Sequence, residues 1–241
     1  IAIVPISFSV SPFMVFTEGM LAWPPDPEAW SLRWYRNMIG DCSAEVVSST
    51  VPCSTKWMKG TVNSFYIGII ATFIATVLGT MAALGLSRPH MPYKALIMSI
   101  LISPMIVPLI ITAAGMFFFY ARINLVYTFT GVILAHVALA TPFVVITVTA
   151  TLVGFDMNMV KAAQSLGAKP MRTFFKVIMP LILPGIISGA LFAFITSFDE
   201  VVIVMFMASI DQLTIPKQMW AGIRQEISPV ILCMATCLVI L

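Results

Sequence analysis

Hydrophobic residues in this chain run in long uncharged blocks, and the few charges punctuate them. No Asp, Glu, Lys or Arg lies between Lys59 and Arg88, between Lys94 and Arg122, or between Arg122 and Asp156, and another uncharged block separates Lys176 from Asp199. The first three blocks exceed the ~20 residues that cross a ~30 Å hydrocarbon core. The pattern predicts an all-α, polytopic membrane protein with six transmembrane helices, at about 1–16, 62–86, 95–119, 128–152, 177–208 and 228–241. The block 177–208 is too long for one straight span at about 1.5 Å per residue. It is either strongly tilted or broken near Asp199 and Glu200, leaving 201–208 as a separate short element. The first span carries no initiator Met, no basic flank and no small-residue cleavage site, so it reads as a clipped span rather than a signal peptide.

Composition agrees with this pattern. The 241 residues are 60% hydrophobic and 10% charged, with a mean hydropathy of +1.01, where soluble domains hold roughly 25% charged residues. A soluble enzyme, a disordered linker and a disulfide scaffold are excluded.

Orientation follows from the basic residues. The segments 87–94 and 153–176 carry Arg88, Lys94, Lys161, Lys169, Arg172 and Lys176 against Asp156 alone, a net charge of +5. The segments 17–61, 120–127 and 209–227 hold seven basic and seven acidic residues, which cancel. The positive set is cytoplasmic, which places both termini in the cytoplasm. Trp23, Trp30, Trp34, Trp57 and Trp220 all fall in the outer segments, as an interfacial belt would. The overall charge of +3 therefore reflects membrane orientation, not nucleic-acid binding.

Within the outer segment 17–61, the run Trp23-Pro24-Pro25-Asp26-Pro27 resists helix formation. Ser31 can then N-cap a short amphipathic helix through Ile39, with Leu32, Tyr35, Met38 and Ile39 toward lipid. Cys42 and Cys53 follow on the oxidising side and are expected to form a disulfide, worth ~3 kcal/mol locally. Cys233 and Cys237 sit one helical turn apart in the last span and read as packing residues. The chain has no G-x-x-x-x-G-K-[ST] loop, no H-E-x-x-H, no G-x-S-x-G and no Cys/His set with zinc spacing. It is thus not expected to be an enzyme or to hold a cofactor or a metal of its own.

The segment 156–180 is the most informative. Asp156 can N-cap a helix of about three turns, Gly167 suits its C′ position, and Pro170 suits the first turn of the next helix. Val160, Ala163 and Leu166 would share a stripe, and Ala162 and Ala163 leave room for another surface. Lys161-Ala162-Ala163, three residues, Gly167, nine residues, then Val177-Ile178-Met179-Pro180 resembles the E-A-A-x3-G-x9-I-x-L-P loop of permease subunits of binding-protein-dependent ABC importers. Lys161 replaces the Glu, Val177 the Ile and Met179 the Leu. Trp30-Ser31-Leu32-Arg33-Trp34-Tyr35, Asn63-Ser64-Phe65, Ser197-Phe198-Asp199-Glu200, Ile215-Pro216-Lys217-Gln218-Met219-Trp220 and Ile227-Ser228-Pro229 resemble the spermidine/putrescine branch of that family.

The resemblance implies the type I ABC importer permease fold, with 1–59 holding the first helix and outer loop and 60–241 the permease domain. It also implies a bacterial inner (plasma) membrane location and four kinds of partner: a second permease, two ATPase subunits holding ATP and Mg, a periplasmic binding protein and the bilayer. The helix bearing Lys161, Ala162, Ala163, Leu166 and Gly167 would dock in the ATPase and couple nucleotide closure to the pore. Asp199 and Glu200 are the candidate substrate-pathway residues. Acids in an apolar run cost roughly 2.5–3.5 kcal/mol at mid-bilayer, and no Lys or Arg lies in another span to pair with them. Adjacent helical positions diverge by about 100°, so one acid can line the pathway while the other pairs in the bundle. His136 is read as a buried neutral imidazole satisfied by a neighbouring helix. Gly185, Gly189 and Ala193 form a small-residue packing ridge. Three alternatives remain: a proton- or ion-coupled secondary transporter relaying through Asp199, Glu200 and His136, a structural membrane anchor, and an importer of another small solute, such as an amino-acid derivative, phosphonate or iron.

Overall fold

A computed structural model describes residues 4, 7–9, 20, 31–40, 55–88, 91–154, 156, 158–225 and 229–240. Every element longer than one residue pair in them is helical: α1 (Arg33–Met38), α2 (Lys56–Leu86), α3 (Lys94–Ile106), α4 (Leu109–Arg122), α5 (Phe129–Val153), α6 (Asn158–Ser165), α7 (Pro170–Thr173), a π-helical segment (Phe174–Ile178), α8 (Met179–Phe198), α9 (Val202–Met207), α10 (Ile215–Gln225) and α11 (Pro229–Ile240). Among the described residues three helices are long and apolar enough to cross a membrane: Lys56–Leu86, Phe129–Val153 and Pro170–Phe198. The pair α3 and α4 makes a fourth if it is one span, but the two helices are bent by 104°. The single span expected over 95–119 is thus corrected to a sharply broken pair. The cause is Pro108, which has no N–H to continue the ladder and forces Val107 into extended backbone at ψ 136°. The first expected span, 1–16, lies almost wholly outside the described residues, and α11 is a 12-residue apolar helix.

The chain forms two compact units, one of residues 1–64 with 210–241 and one of residues 65–209. In the first unit α1 begins later than the sequence predicts. Leu32 occupies the N-cap without a side-chain cap bond, because Ser31 Oγ accepts from Arg33 N–H at 3.1 Å, inside the turn before the helix. Leu32 and Ile39 are exposed as expected. Trp34 contradicts the interfacial-belt reading. It is wholly buried, and its indole N–H donates to the Ser9 carbonyl at 2.8 Å. An indole is large enough to fill a small unit's interior once its one donor is satisfied. Trp57 is buried too, Trp220 is half exposed, and Trp23 and Trp30 lie outside the described residues. Cys42 and Cys53 also lie outside them. Cys233 and Cys237 are free thiols.

The second unit is built on small residues. On α2, Ala71, Ala75, Gly79 and Ala83 recur every four residues and are all buried. A Cβ on Gly79 would stand 2.7 Å from Val144 Cβ of α5. On α8, a Cβ on Gly185 would strike Thr151 Oγ1, one on Gly189 would strike Thr147 Oγ1, and Ala193 is fully buried. The Gly185–Gly189–Ala193 ridge is therefore the contact by which α8 lies along α5. Lipid tails are as apolar as Leu, so such helices associate by close van der Waals packing rather than by hydrophobicity.

Candidate functional site

Two places in the second unit carry chemistry, and each begins at a helix end. At the first, Asp156 Oδ1 accepts from Asn158 N–H at 2.9 Å and starts α6. At the other end Gly167 N–H donates to the Gln164 carbonyl at 2.9 Å, and Ala168 N–H to the Ala163 carbonyl at 3.0 Å. With Gly167 at φ +79° this is a Schellman closure, which needs a residue free to adopt the left-handed region. Nothing lies within 4 Å of a Cβ built on Gly167, so the constraint there is backbone conformation and not space. Pro170 then opens α7, where its missing N–H costs nothing. The helix, its glycine stop and the proline restart all stand where the sequence puts them.

Lys161, Ala162, Leu166 and Gly167 are exposed, Ala163 half-buried. Leu166 departs from the expected stripe: it is 89% exposed, while Val160 and Ala163 are half-buried against the unit. The exposed Leu166 just past the end of α6 and the exposed Lys161 within it give this end of the unit an apolar knob and a separate basic group.

The second place is the break between α8 and α9. The long block 177–208 resolves into α8 ending at Phe198 and the six-residue α9, with Asp199, Glu200 and Val201 between them. The two acids diverge. Glu200 is buried, and its Oε1 accepts from Ile203 N–H at 2.9 Å. It thereby satisfies an orphan donor at the N-terminus of α9, where a negative charge is also favoured by the helix dipole. Asp199 closes α8, its own N–H donating to the Ile195 carbonyl at 3.0 Å, and its side chain is exposed. The far end of α9 is held by Tyr127 N–H, which donates to the Met207 carbonyl at 2.9 Å.

In the last turn of α8, Ser197 Oγ stands 2.9 Å from Nδ1 of His136 on α5. His136 is 1% exposed, as expected for an imidazole satisfied by a neighbouring helix, although its Nε2 has no hydrogen-bond partner. Sequence reasoning named His136 without its partner. Ser197 was visible only as part of a motif, and serines in apolar helices commonly bond their own backbone instead.

Another motif has a structural explanation within the first unit. Asn63 Nδ2 donates to the Asp211 and Leu213 carbonyls at 2.7 and 2.9 Å, and Ser64 Oγ accepts from Ile215 N–H at 2.8 Å. Asn63-Ser64 therefore fixes the turn that opens α10.

Comparison with known proteins places these features in a family. The family described as "Binding-protein-dependent transport system inner membrane component" matches residues 75–241. The spermidine/putrescine transport system permease protein PotC of Haemophilus influenzae is 29% identical over 221 residues, covering 92% of this chain and 79% of that protein. The putrescine transport system permease protein PotI of Escherichia coli is 29% identical over 214 residues, covering 86% and 72%. The trehalose transport system permease protein SugB of Mycobacterium tuberculosis is 32% identical over 148 residues, covering 61% and 54%. Among solved structures, a bacterial ABC transporter involved in the import of the acidic polysaccharide alginate superposes with a TM-score of 0.67 at 15% identity, covering 92% of this chain and 71% of that one. The match over residues 75–241, together with a helical fold shared across nine tenths of its length, makes this chain a member of the family of binding-protein-dependent transport system inner membrane components.

Proposed function

We propose that this chain is a permease subunit of a polyamine importer, carrying spermidine- or putrescine-like cations across the bacterial inner membrane with ATP hydrolysed on partner subunits. In this reading it pairs with a second permease and two ATPase subunits that hold ATP and Mg, and it receives solute from a periplasmic binding protein. The chain contributes no nucleotide site of its own. Both termini are cytoplasmic, residues 60–241 form the permease domain, and 1–59 add a helix and an outer loop pinned by a Cys42–Cys53 disulfide.

The observation that carries the cationic substrate is the division of labour at the helix break. Glu200 is committed to capping α9, which leaves Asp199 as an exposed carboxylate inside an otherwise uncharged block. At the end of the 20-residue α8, and so at the edge of the hydrocarbon, an exposed carboxylate needs a counter-charge, which dissolved ions, a partner chain or an arriving cation can supply. A diamine or triamine meets that need, and a modest attraction still lets it leave. The likeness to PotC and PotI over 86–92% of the chain supports the same substrate class. On the cytoplasmic side, Lys161, Ala162, Ala163, Leu166 and Gly167 form the docking knob for the ATPase.

The test is labelled spermidine uptake by the complete transporter in proteoliposomes, challenged with unlabelled putrescine and with trehalose. Competition by putrescine alone supports the reading. Competition by trehalose alone, or no spermidine uptake despite binding-protein-stimulated ATP hydrolysis, overturns the polyamine assignment.

A further inference from the structure

Between α7 and α8 the chain does not run as an α-helix. Residues Phe174–Ile178 form a π-helical segment, and Met179 N–H donates to the Phe174 carbonyl five residues back. Such wide turns are rare and mark places where an α-ladder has been disturbed. Here the disturbance is Pro180, immediately beyond. Its nitrogen cannot donate to Lys176, and its ring would press on the Lys176 carbonyl in regular α geometry. Widening the preceding turn moves that carbonyl aside. Pro184, one turn on, lies within regular α8.

The position of the wide turn matters more than its presence. Met179–Phe198 is 20 residues long, which at about 1.5 Å per residue matches the hydrocarbon thickness. Lys176 lies within the π segment and Arg172 just before it, so the segment sits where the helix leaves the membrane. On its bilayer side α8 is locked to α5, because neither Gly185 nor Gly189 has room for even a Cβ against Thr147 and Thr151. On its other side α6 is exposed along Lys161, Ala162 and Leu166. Residues 167–179 connect α6 to α8, and the wide turn is the one departure from α geometry within the helical part of that connection. Closing the wide turn into regular α-helix, or reopening it, rotates the helix on one side of it relative to the other by up to one residue step, about 100°.

We infer that Pro180 is a positioning residue for transport: it holds open a π turn that acts as a rotary joint between the docking helix α6 and the membrane helix α8. The inference rests on the reading of α6 as the ATPase contact. The experiment uses the complete transporter in nanodiscs and proteoliposomes. It compares Pro180→Ala, the same substitution combined with deletion of Phe175 (which removes the extra residue of the wide turn), and Pro184→Ala as a control. Amide hydrogen exchange over 174–179, ATP hydrolysis and solute uptake are measured on each.

Both Pro180 variants should slow exchange across the segment and keep ATP hydrolysis, while uptake per ATP falls roughly tenfold; Pro184→Ala should keep all three. Slowed exchange with uptake per ATP within about twofold of the parent overturns the joint. Unchanged exchange in Pro180→Ala overturns the role of the proline. Failure of the docking reading is distinguishable, because it would show as unimpaired ATP stimulation when α6 itself is re-aimed at Gly167.

Discussion

Gly167 and Glu200 show how much single residues decide. Gly167 adopts φ +79° with open space around its α-carbon, so substitutions there test conformation alone. Valine is severely strained in the left-handed region, whereas asparagine is tolerated. Gly167→Val is expected to reach the membrane but lose stimulation of its ATPase, and Gly167→Asn to retain most of it, with membrane abundance and ATP hydrolysis as the measurements. Equal coupling in both would remove α6 from the pathway of force. Glu200 makes a different prediction. Its cap bond needs only an acceptor oxygen, so Glu200→Gln should preserve the stability of the assembled transporter to within the helix-dipole share of about 0.3–1 kcal/mol. Glu200→Ala should lower it by about 0.5–2 kcal/mol, the usual cost of a lost cap, read from thermal denaturation in detergent.

At the scale of elements, the pairing of α5 with α8 carries both the packing ridge and the buried His136–Ser197 bond. Ser197→Ala would leave both imidazole nitrogens buried without partners and should destabilise the unit by about 1–3 kcal/mol. Replacing His136 with Phe in the same variant should recover much of that loss, because an unsatisfied group then disappears. A double-mutant cycle on thermal stability checks this, and strictly additive losses would argue against the bond.

The same elements show what could be read in the residues. Long uncharged blocks gave α5 within one residue and α2 six residues late at its start, and the block 177–208 held α8 together with the break that ends it at Phe198, since burial in lipid leaves one dominant signal. The glycine stop at Gly167, the Pro170 restart and the ridge on α8 were legible because each depends on local geometry. The bend between α3 and α4 was not: hydropathy is blind to Pro108 inside an apolar run. Trp34 was misplaced because an aromatic in an outer segment reads alike whether it faces lipid or fills a small interior. The four-residue repeat Ala71, Ala75, Gly79, Ala83 was present in the sequence and carries the same meaning as the ridge on α8. The sequence placed Asp199 and Glu200 together; only the break in the helix separates their roles.

Across the whole molecule, membership of the inner-membrane component family agrees with the long apolar helices. The chain is a multi-pass inner-membrane transport component. The parts proposed to carry function lie at the two ends of one helix: an exposed knob and a wide turn before α8, and an exposed acid after it. The knob is where ATP-driven motion would enter, and the acid is where a cation would be met. This arrangement makes the substrate and the energy source separable by mutation. A change at α6 should alter hydrolysis and transport together, and a change at Asp199 should alter transport alone.

The most direct test is therefore spermidine uptake by the reconstituted transporter carrying Asp199→Asn, with ATP hydrolysis followed in the same vesicles and Glu200→Gln as the companion. The account predicts that Asp199→Asn lowers uptake by roughly three- to fivefold, about the 0.7–1 kcal/mol at the upper end for an exposed charge–cation contact, with hydrolysis preserved and Glu200→Gln transporting nearly as the parent does. Wild-type uptake in Asp199→Asn, or loss of uptake confined to Glu200→Gln, would contradict it.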